Sequence, residues 1–432
     1  MRRILPPSVL AGVLAAAALL SPAAGADSWP QFRGPSADGV VAGAPKLAVT
    51  WSETENVRWK TPIPHKGWST PAVQDGKLWL TTATPEGTEY FVISVDAETG
   101  AVVMNERLFT CENPEPLGND VNCYASPSPA SEPGRVYISF GSYGTACLDT
   151  ATGKELWRRT DLPCRHFRGP GSSAILHKNL LILTFDGADQ QYSTALDKAT
   201  GATVWRTDRT SVWKDLDENG QPSREGDMRK AFCTPLVFTH AGREQMVVTA
   251  SYGVFAYDPL TGRELWKIDH ESYSPAPMPV YDGNLVFVLT GRGRNALMAV
   301  RSDGEGDVTK THVAWQFTGK TIPVEPSPVL ADGLLYLVSN DGIVTCLDAA
   351  TGAELWAERI GGSYCASPIL ANGLLYFSST QGKTTLLKAG RAFEKVAENR
   401  LEEGFMASPV AVGDALFLRT KTALYRIDAA AE

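Results

Sequence analysis

The sequence predicts an all-β chain folded as an eight-bladed β-propeller of four-stranded antiparallel blades. Three observations predict it. First, Asp-x-x-Thr-Gly is written five times, at Asp96-Thr99-Gly100, Asp149-Thr152-Gly153, Asp197-Thr200-Gly201, Asp258-Thr261-Gly262 and Asp348-Thr351-Gly352. Trp157, Trp205, Trp266 and Trp356 each follow the Gly by four positions, and Met104 stands there in the first copy. Second, a strand opening marked by Pro recurs at Pro71, Pro127, Pro235, Pro279, Pro328, Pro368 and Pro409, with Ser173 in the place of an eighth. Third, 368 positions separate Pro64 from Glu432, so eight openings share them at 46 residues each. A repeat of about 40–50 residues is the length of one propeller blade, and eight blades lie within the usual range.

The repeat beginning at Ser327-Pro328-Val329 shows why each unit is a small sheet. Ala331-Asp332-Gly333 turns the chain, Leu334 to Ser339 is a short apolar run, and Asn340-Asp341-Gly342 turns it again. Asp-Gly supplies the positive φ that tight hairpins need. Ile343 to Leu347 is the next strand, Asp348 to Gly352 the next turn, and Glu354-Leu355-Trp356 opens a fourth strand. No 3.6-residue period interrupts this pattern. The Asp and Thr side chains satisfy backbone donors inside their turn, and the Trp fills the seam between neighbouring sheets.

The eighth repeat ends at Ile427-Asp428 without an outer strand. Asn56-Val57-Arg58-Trp59-Lys60 reads as an outer strand detached from its blade. It is expected to complete the last blade and remove the open edge.

Residues 1–26 read as a secretory signal peptide, leaving residues 27–432 as one propeller domain. Arg2 and Arg3 precede an apolar run of twelve residues, Val9 to Leu20, and Ala24-Gly25-Ala26 is a small-residue cleavage site. The run is too short to span a bilayer, and no Cys follows it to carry a lipid anchor. The expected location is periplasmic or extracellular, and the expected state a monomer. The whole chain has a net charge of −8, or −10 without the leader's two Arg. That balance argues against nucleic acid as a partner. The seven cysteines make an odd count. Cys111 and Cys123 bracket a loop and are either a disulfide or two half-buried thiols. Cys147 and Cys346 hold the same place in two repeats and read as core.

Function in such a ring lives where repeats deviate. Four segments do: Trp29-Pro30-Gln31-Phe32-Arg33-Gly34-Pro35 before the ring; Asn122-Cys123-Tyr124-Ala125-Ser126-Pro127; Cys164-Arg165-His166-Phe167-Arg168-Gly169-Pro170-Gly171-Ser172-Ser173; and the insertion from Trp213 to Lys230. In the third, His166 offers acid, base or metal-ligand chemistry and Arg168 a hold on a carboxylate or phosphate; the alternative is a polar plug between blades. Asp186, Asp189 and Gln190 are candidates for the same channel mouth. In the insertion, Asp215-x-Asp217-x-Asn219-Gly220 begins like a calcium loop. Its twelfth position is Gly226 rather than an acid, so a solvated acidic loop is the competing reading.

The repeats, of which Leu148-Asp149-x-x-Thr152-Gly153-Lys154-Glu155-Leu156-Trp157 is a clear copy, resemble the PQQ-like β-propeller repeat. That repeat builds the quinoprotein alcohol dehydrogenases and the outer-membrane assembly lipoprotein BamB. The resemblance covers about residues 59–428, and the Trp29–Pro35 motif looks like the start of many secreted bacterial propellers. It implies a propeller fold and no catalytic residue: no two cysteines are adjacent, no Cys-x-x-Cys-His occurs, and no Glu/Asn/Asp calcium set matches. The leading expectation is a non-catalytic binding or assembly scaffold at the cell envelope, with an envelope protein or glycan as partner. The alternative is a PQQ-dependent oxidoreductase, with Arg168, Lys230 or Arg292 against the quinone carboxylates, Trp68 as the stacking ring, and calcium as a second cofactor. A third reading pairs His166 with Asp186 as acid and base.

Overall fold

The structure is a computed structural model that describes residues 28–430; the signal peptide expected in residues 1–26 lies outside the described residues. Eight antiparallel sheets follow one another along the chain, at residues 72–110, 130–159, 175–208, 236–269, 280–318, 329–359, 369–400 and 410–428. We number these blades 1 to 8. Blades 1 to 7 run from the inner strand outwards in chain order, while blade 8 takes its outer strand from Val57–Pro62. That strand pairs antiparallel with Ala423–Asp428, with Lys60 opposite Tyr425. The detached strand is thus the ring's clasp, as its sequence suggests. Blade 4 departs from the four-strand plan, because Gly306–Asp307 adds a short parallel strand to its rim.

The repeated turn is built as its residues dictate. In Asp149-Thr152, one carboxylate oxygen accepts from the N–H groups of Ala151 and Thr152 and from the Thr152 hydroxyl, at 3.1, 2.8 and 2.8 Å. Beyond the turn, a bulge shifts the outer strand's register at the same place in blades 1 to 7. It sets each Trp against a small residue: Trp157 opposite Cys147, Trp205 opposite Ala195, Trp356 opposite Cys346. Cys147 and Cys346 are therefore core residues beneath an indole.

The Trp and the Gly of the motif belong together across blades. The Trp157 ring lies against Gly201 of blade 3, where an added Cβ would stand 2.7 Å from the indole. Trp59 meets Gly100, Trp205 meets Gly262, and Trp315 meets Gly352 in the same way. Met104 occupies this seat against Gly153, which explains its place in the first copy. Trp315 was not legible as a repeat Trp, because residues 302–312 replace the motif turn in blade 5.

The structure shifts two of the sequence-based openings. The inner strand of blade 2 starts at Ala130, so Pro129, not Pro127, is the equivalent of Pro71. In blade 3, Ala174 takes the Pro position, and Ser173 matches Thr70. This register exposes a device that runs around the ring. The Thr70 N–H donates to the Ser128 hydroxyl at 2.9 Å, Ser128 N–H to Ser173 at 2.9 Å, and Ser173 N–H to Thr234 at 2.9 Å. Met278 N–H donates to Ser327 at 3.0 Å, Ser327 to Ser367 at 2.9 Å, Ser367 to Ser408 at 3.0 Å, and Ser408 back to Thr70 at 3.1 Å. Seven of the eight blades thus satisfy a buried N–H with a neighbour's hydroxyl. The circle breaks at blade 5, where Met278 has no hydroxyl to offer.

Candidate functional site

The loops that enter the inner strands converge on one face and enclose a cavity of about 490 Å³. Its floor is the hydroxyl ring, represented by Thr70, Ser128, Ser173, Thr234, Ser367 and Ser408, with the Phe32 side chain among them. A cavity of this size fits a ligand of drug-like dimensions.

Six charged side chains line it: Arg168, Arg224, Lys230 and Arg292 against Asp227 and Glu325. Arg168 comes from the Gly-Pro-Gly loop and lies 5.0 Å over the Phe167 ring, with its Nε 3.6 Å from Asp227. Lys230 is almost fully buried and bonds the same Asp227 carboxylate. Burial holds its ammonium below the usual lysine range, against the pull of Asp227, and the neighbouring charges of Arg168 and Arg292 lower it further. Arg292 is fixed by reciprocal backbone bonds with Tyr273, at 2.6 and 3.0 Å, and pairs with Glu325. Burial pushes the Glu325 carboxyl up, although Arg292 and Asn340 oppose it. Arg224 enters from the insertion on a backbone with φ of +51°.

Among the described residues, two buried polar atoms of the lining have no hydrogen-bond partner: the Trp68 indole Nε1 and the Ser274 hydroxyl. Ser274 is 5% exposed and sits at φ +52°, in the left-handed region that Ser rarely adopts. A buried, unpaired hydroxyl on a strained backbone is costly, and such features concentrate where a ligand supplies the missing partner.

Of the residues singled out from sequence, Trp68, Arg168 and Arg292 line this cavity, and so does Lys230. His166 and Asp186 do not. They border a separate void of about 10 Å³ between blades 2 and 3. His166 is buried, and its Nε2 accepts the Ser142 N–H at 2.9 Å, which places the ring proton on Nδ1. Burial pulls its pKa down to about 4. Asp186 is held at both oxygens by the buried Arg209 guanidinium, at 2.9 Å each. Each group is committed to another partner, so the expected acid–base pair does not form.

The calcium-like loop is also used otherwise. The Arg229 guanidinium occupies both Asp215 oxygens at 3.0–3.1 Å. Asp217 accepts the Asn219 and Gln221 N–H groups of its own turn, at 2.8 Å each. Asp215, Asp217 and Asn219 thus serve the insertion's own fold. Among the described residues, no group of three or more His, Cys, Asp or Glu is arranged to hold a metal ion. All seven cysteines are free thiols, so Cys111 and Cys123 are not bridged; Cys123 lies 3.4 Å from the Ser126 hydroxyl instead.

Sequence reasoning missed Arg224, Glu325, Tyr273 and Phe32 as lining residues. Phe32 lies inside the Trp29–Pro35 motif and Arg224 inside the insertion, so both belong to segments that depart from the repeat. Glu325, in a plain Glu-Pro-Ser-Pro opening, carries no local signal.

The comparisons with known proteins agree with this architecture. A family model described as outer membrane protein assembly factor BamB matches residues 30–189, 92–358 and 189–431. Methanol dehydrogenase (cytochrome c) subunit 1 of Methylobacterium organophilum is 24% identical over 320 residues, 68% of this chain and 48% of that protein. Its counterpart from Methylorubrum extorquens is 25% identical over 321 residues, with the same coverage. The chain thus spans about half the length of the curated relatives it matches. Among solved structures, quinohemoprotein alcohol dehydrogenase from Comamonas testosteroni superposes with a TM-score of 0.66 at 14% identity, over 94% of this chain and 81% of that one. BamB from Moraxella catarrhalis gives 0.58 at 11%, over 86% and 99%. At these identities the structural likeness is one of fold. The family model, by contrast, covers the ring from end to end: the chain belongs to the family of the outer membrane protein assembly factor BamB, built from PQQ-like propeller repeats.

Proposed function

We propose that this chain is a binding and assembly propeller of the cell envelope, and that its channel mouth receives a negatively charged group of the partner. The observation that carries this reading is the charge around the cavity. Four cations face two carboxylates there, in a chain whose net charge is −8. A cleft with an excess of one sign and low-dielectric walls concentrates ligands of the other sign. The description of the family as an assembly factor supports a partner-binding role, and the secretory leader read in residues 1–26 supports an envelope location.

A second reading, a PQQ-dependent oxidoreductase, draws on Trp68, Arg168, Lys230 and Arg292 sharing one cavity and on the names of the curated relatives. The cations and aromatic rings suit an aromatic polycarboxylate. The metal half of that chemistry does not fit. Both carboxylates of the lining, Asp227 and Glu325, are tied to cations, which leaves no acidic pair for a divalent ion.

Isothermal titration with PQQ, with and without calcium, followed by a dye-linked oxidation assay, separates the two. Saturable binding that ignores calcium and gives no turnover supports the binding propeller; Arg168→Gln and Arg292→Gln should each weaken it about ten-fold, the ordinary worth of a charge-assisted hydrogen bond. Calcium-dependent binding with turnover would install the oxidoreductase instead. No binding of PQQ or of any other aromatic carboxylate would overturn the anion-binding site.

A further inference from the structure

The segment ahead of the ring does more than lead into it. Residues 29–46 visit every blade in numerical order along its inner edge. Trp29 exchanges backbone bonds with Val73 of blade 1 at 2.9 and 2.8 Å, and the Pro30 carbonyl accepts Ser131 N–H of blade 2 at 2.7 Å. The Gln31 side chain accepts Leu176 N–H of blade 3 at 3.4 Å. Phe32 and Ala37 pack with Leu236 and Met278 of blades 4 and 5. Arg33 donates to the Pro328 carbonyl of blade 6 at 2.6 Å and to the Pro368 carbonyl of blade 7 at 3.3 Å. Gly39 and Val41 bond Leu370 of blade 7, and Lys46 N–H reaches Asp414 of blade 8 at 2.7 Å.

The strap therefore lies across the channel beneath the hydroxyl ring and makes the cavity a pocket with one mouth. One side chain of the strap faces that pocket. Phe32 is half-buried and contributes its ring to the floor. Arg33 next to it is buried and donates to the backbone carbonyls of Asp38, Pro328 and Pro368, which anchors the strap to blades 6 and 7. The break in the hydroxyl ring falls where the strap docks. Met278 gives up the hydroxyl that the other blades carry and supplies an apolar seat for Phe32 and Ala37.

We propose that the strap is part of the ligand site, with Phe32 as the apolar floor on which the uncharged body of an anionic ligand rests while Arg168, Arg224, Lys230 and Arg292 hold its acid groups. The proposal rests on the reading of the cavity as an anion site and adds a ligand class to it: a flat or apolar body bearing two or more acid groups. A bare anion uses the cations and not the floor.

The test is calorimetric titration of the full chain with two probes, 2,6-naphthalenedicarboxylate and succinate, comparing the parent with Phe32→Ala and Phe32→Leu. The expected result is that Phe32→Ala weakens the naphthalene probe at least ten-fold and leaves succinate within two-fold, while Phe32→Leu loses less. Burial of an aromatic ring is worth a factor of that size. Unchanged affinity of Phe32→Ala for the naphthalene probe would overturn the proposal and leave the anion site standing. Equal loss for both probes would overturn it too, since that is the signature of a collapsed pocket. If the parent binds neither probe, the anion site itself falls. Phe32→Leu keeps the test readable should Phe32→Ala fold poorly.

Discussion

At the scale of single residues, the glycines of the repeated turn have two duties. Gly201 has φ of +73°, which suits the turn, and it leaves room for the neighbouring Trp157 ring. The turn aspartates Asp96, Asp149, Asp197 and Asp348 are held below the usual carboxylate range, chiefly by the Thr hydroxyl three residues on. What they contribute is present above the unfolded Asp range, near pH 4, and is lost only as pH falls below it. The buried histidines act in a different window. Burial pulls both His166 and His270 to about 4, against ~6.5 in the unfolded chain. Between those values the unfolded state binds a proton that the folded state refuses. Stability is therefore complete above pH 6.5 and falls as pH drops toward 4, by about 2 kcal/mol per His at pH 5. Urea unfolding at pH 7.5 and pH 5 should show that fall, and His166→Gln should make it shallower. A parent midpoint that does not move between the two pH values would show that these rings are protonated in the fold.

At the scale of elements, each blade is a short meander that cannot bury its own faces, and two inter-blade devices join it to the next. On the outside, the Trp ring covers the next turn's Gly, and the indole N–H bonds that turn's backbone; Trp157 Nε1 donates to the Lys198 carbonyl at 2.9 Å, and Trp205 Nε1 to the Pro259 carbonyl at 3.1 Å. Trp266 is the exception, donating to Gln245 inside its own blade at 2.8 Å, because blade 5 offers no motif turn. On the inside, the hydroxyl ring satisfies buried N–H groups. Ser367→Ala removes the acceptor of the Ser327 N–H and leaves that donor buried without a partner. The expected cost is about 1–3 kcal/mol, read as a lower urea midpoint. A midpoint equal to the parent's would mean that the ring bonds add no net stability.

At the scale of the whole molecule, closure decides whether the blades form one cooperative body. The clasp strand brings more than its ladder. Trp59 packs 6.0 Å from Phe417 and donates to the Ala97 carbonyl at 3.2 Å, so one residue of the clasp ties blade 8 to blade 1. Glu53, Lys60 and Tyr425 form a polar group over the junction. The buried Arg419 of blade 8 adds bonds to the Ser69 and Thr81 carbonyls of blade 1, at 2.8 and 3.0 Å. Trp59→Ala should cost about 2–4 kcal/mol, and a chain starting at Thr61 should lose the single cooperative unfolding transition. Retention of one sharp transition in that shortened chain would show that the ring closes without its clasp.

What the sequence by itself determined is the repeating architecture. Asp-x-x-Thr-Gly, the Trp four residues on and the detached Asn56–Lys60 segment are local or periodic features, so turns, blade number and clasp were all legible. The site was legible only in part. Arg168 and Lys230 stood out in segments that break the repeat, and Trp68 and Arg292 by residue type alone. Their convergence, the commitment of Asp186 to Arg209 and of Asp215 to Arg229, and the strap beneath the ring were decided by tertiary structure. The physical reason is that a blade's fold depends on neighbours a few residues away, whereas the cavity is assembled from loops of nearly every blade, and pairing among charges is set by distances that no spacing along the chain encodes.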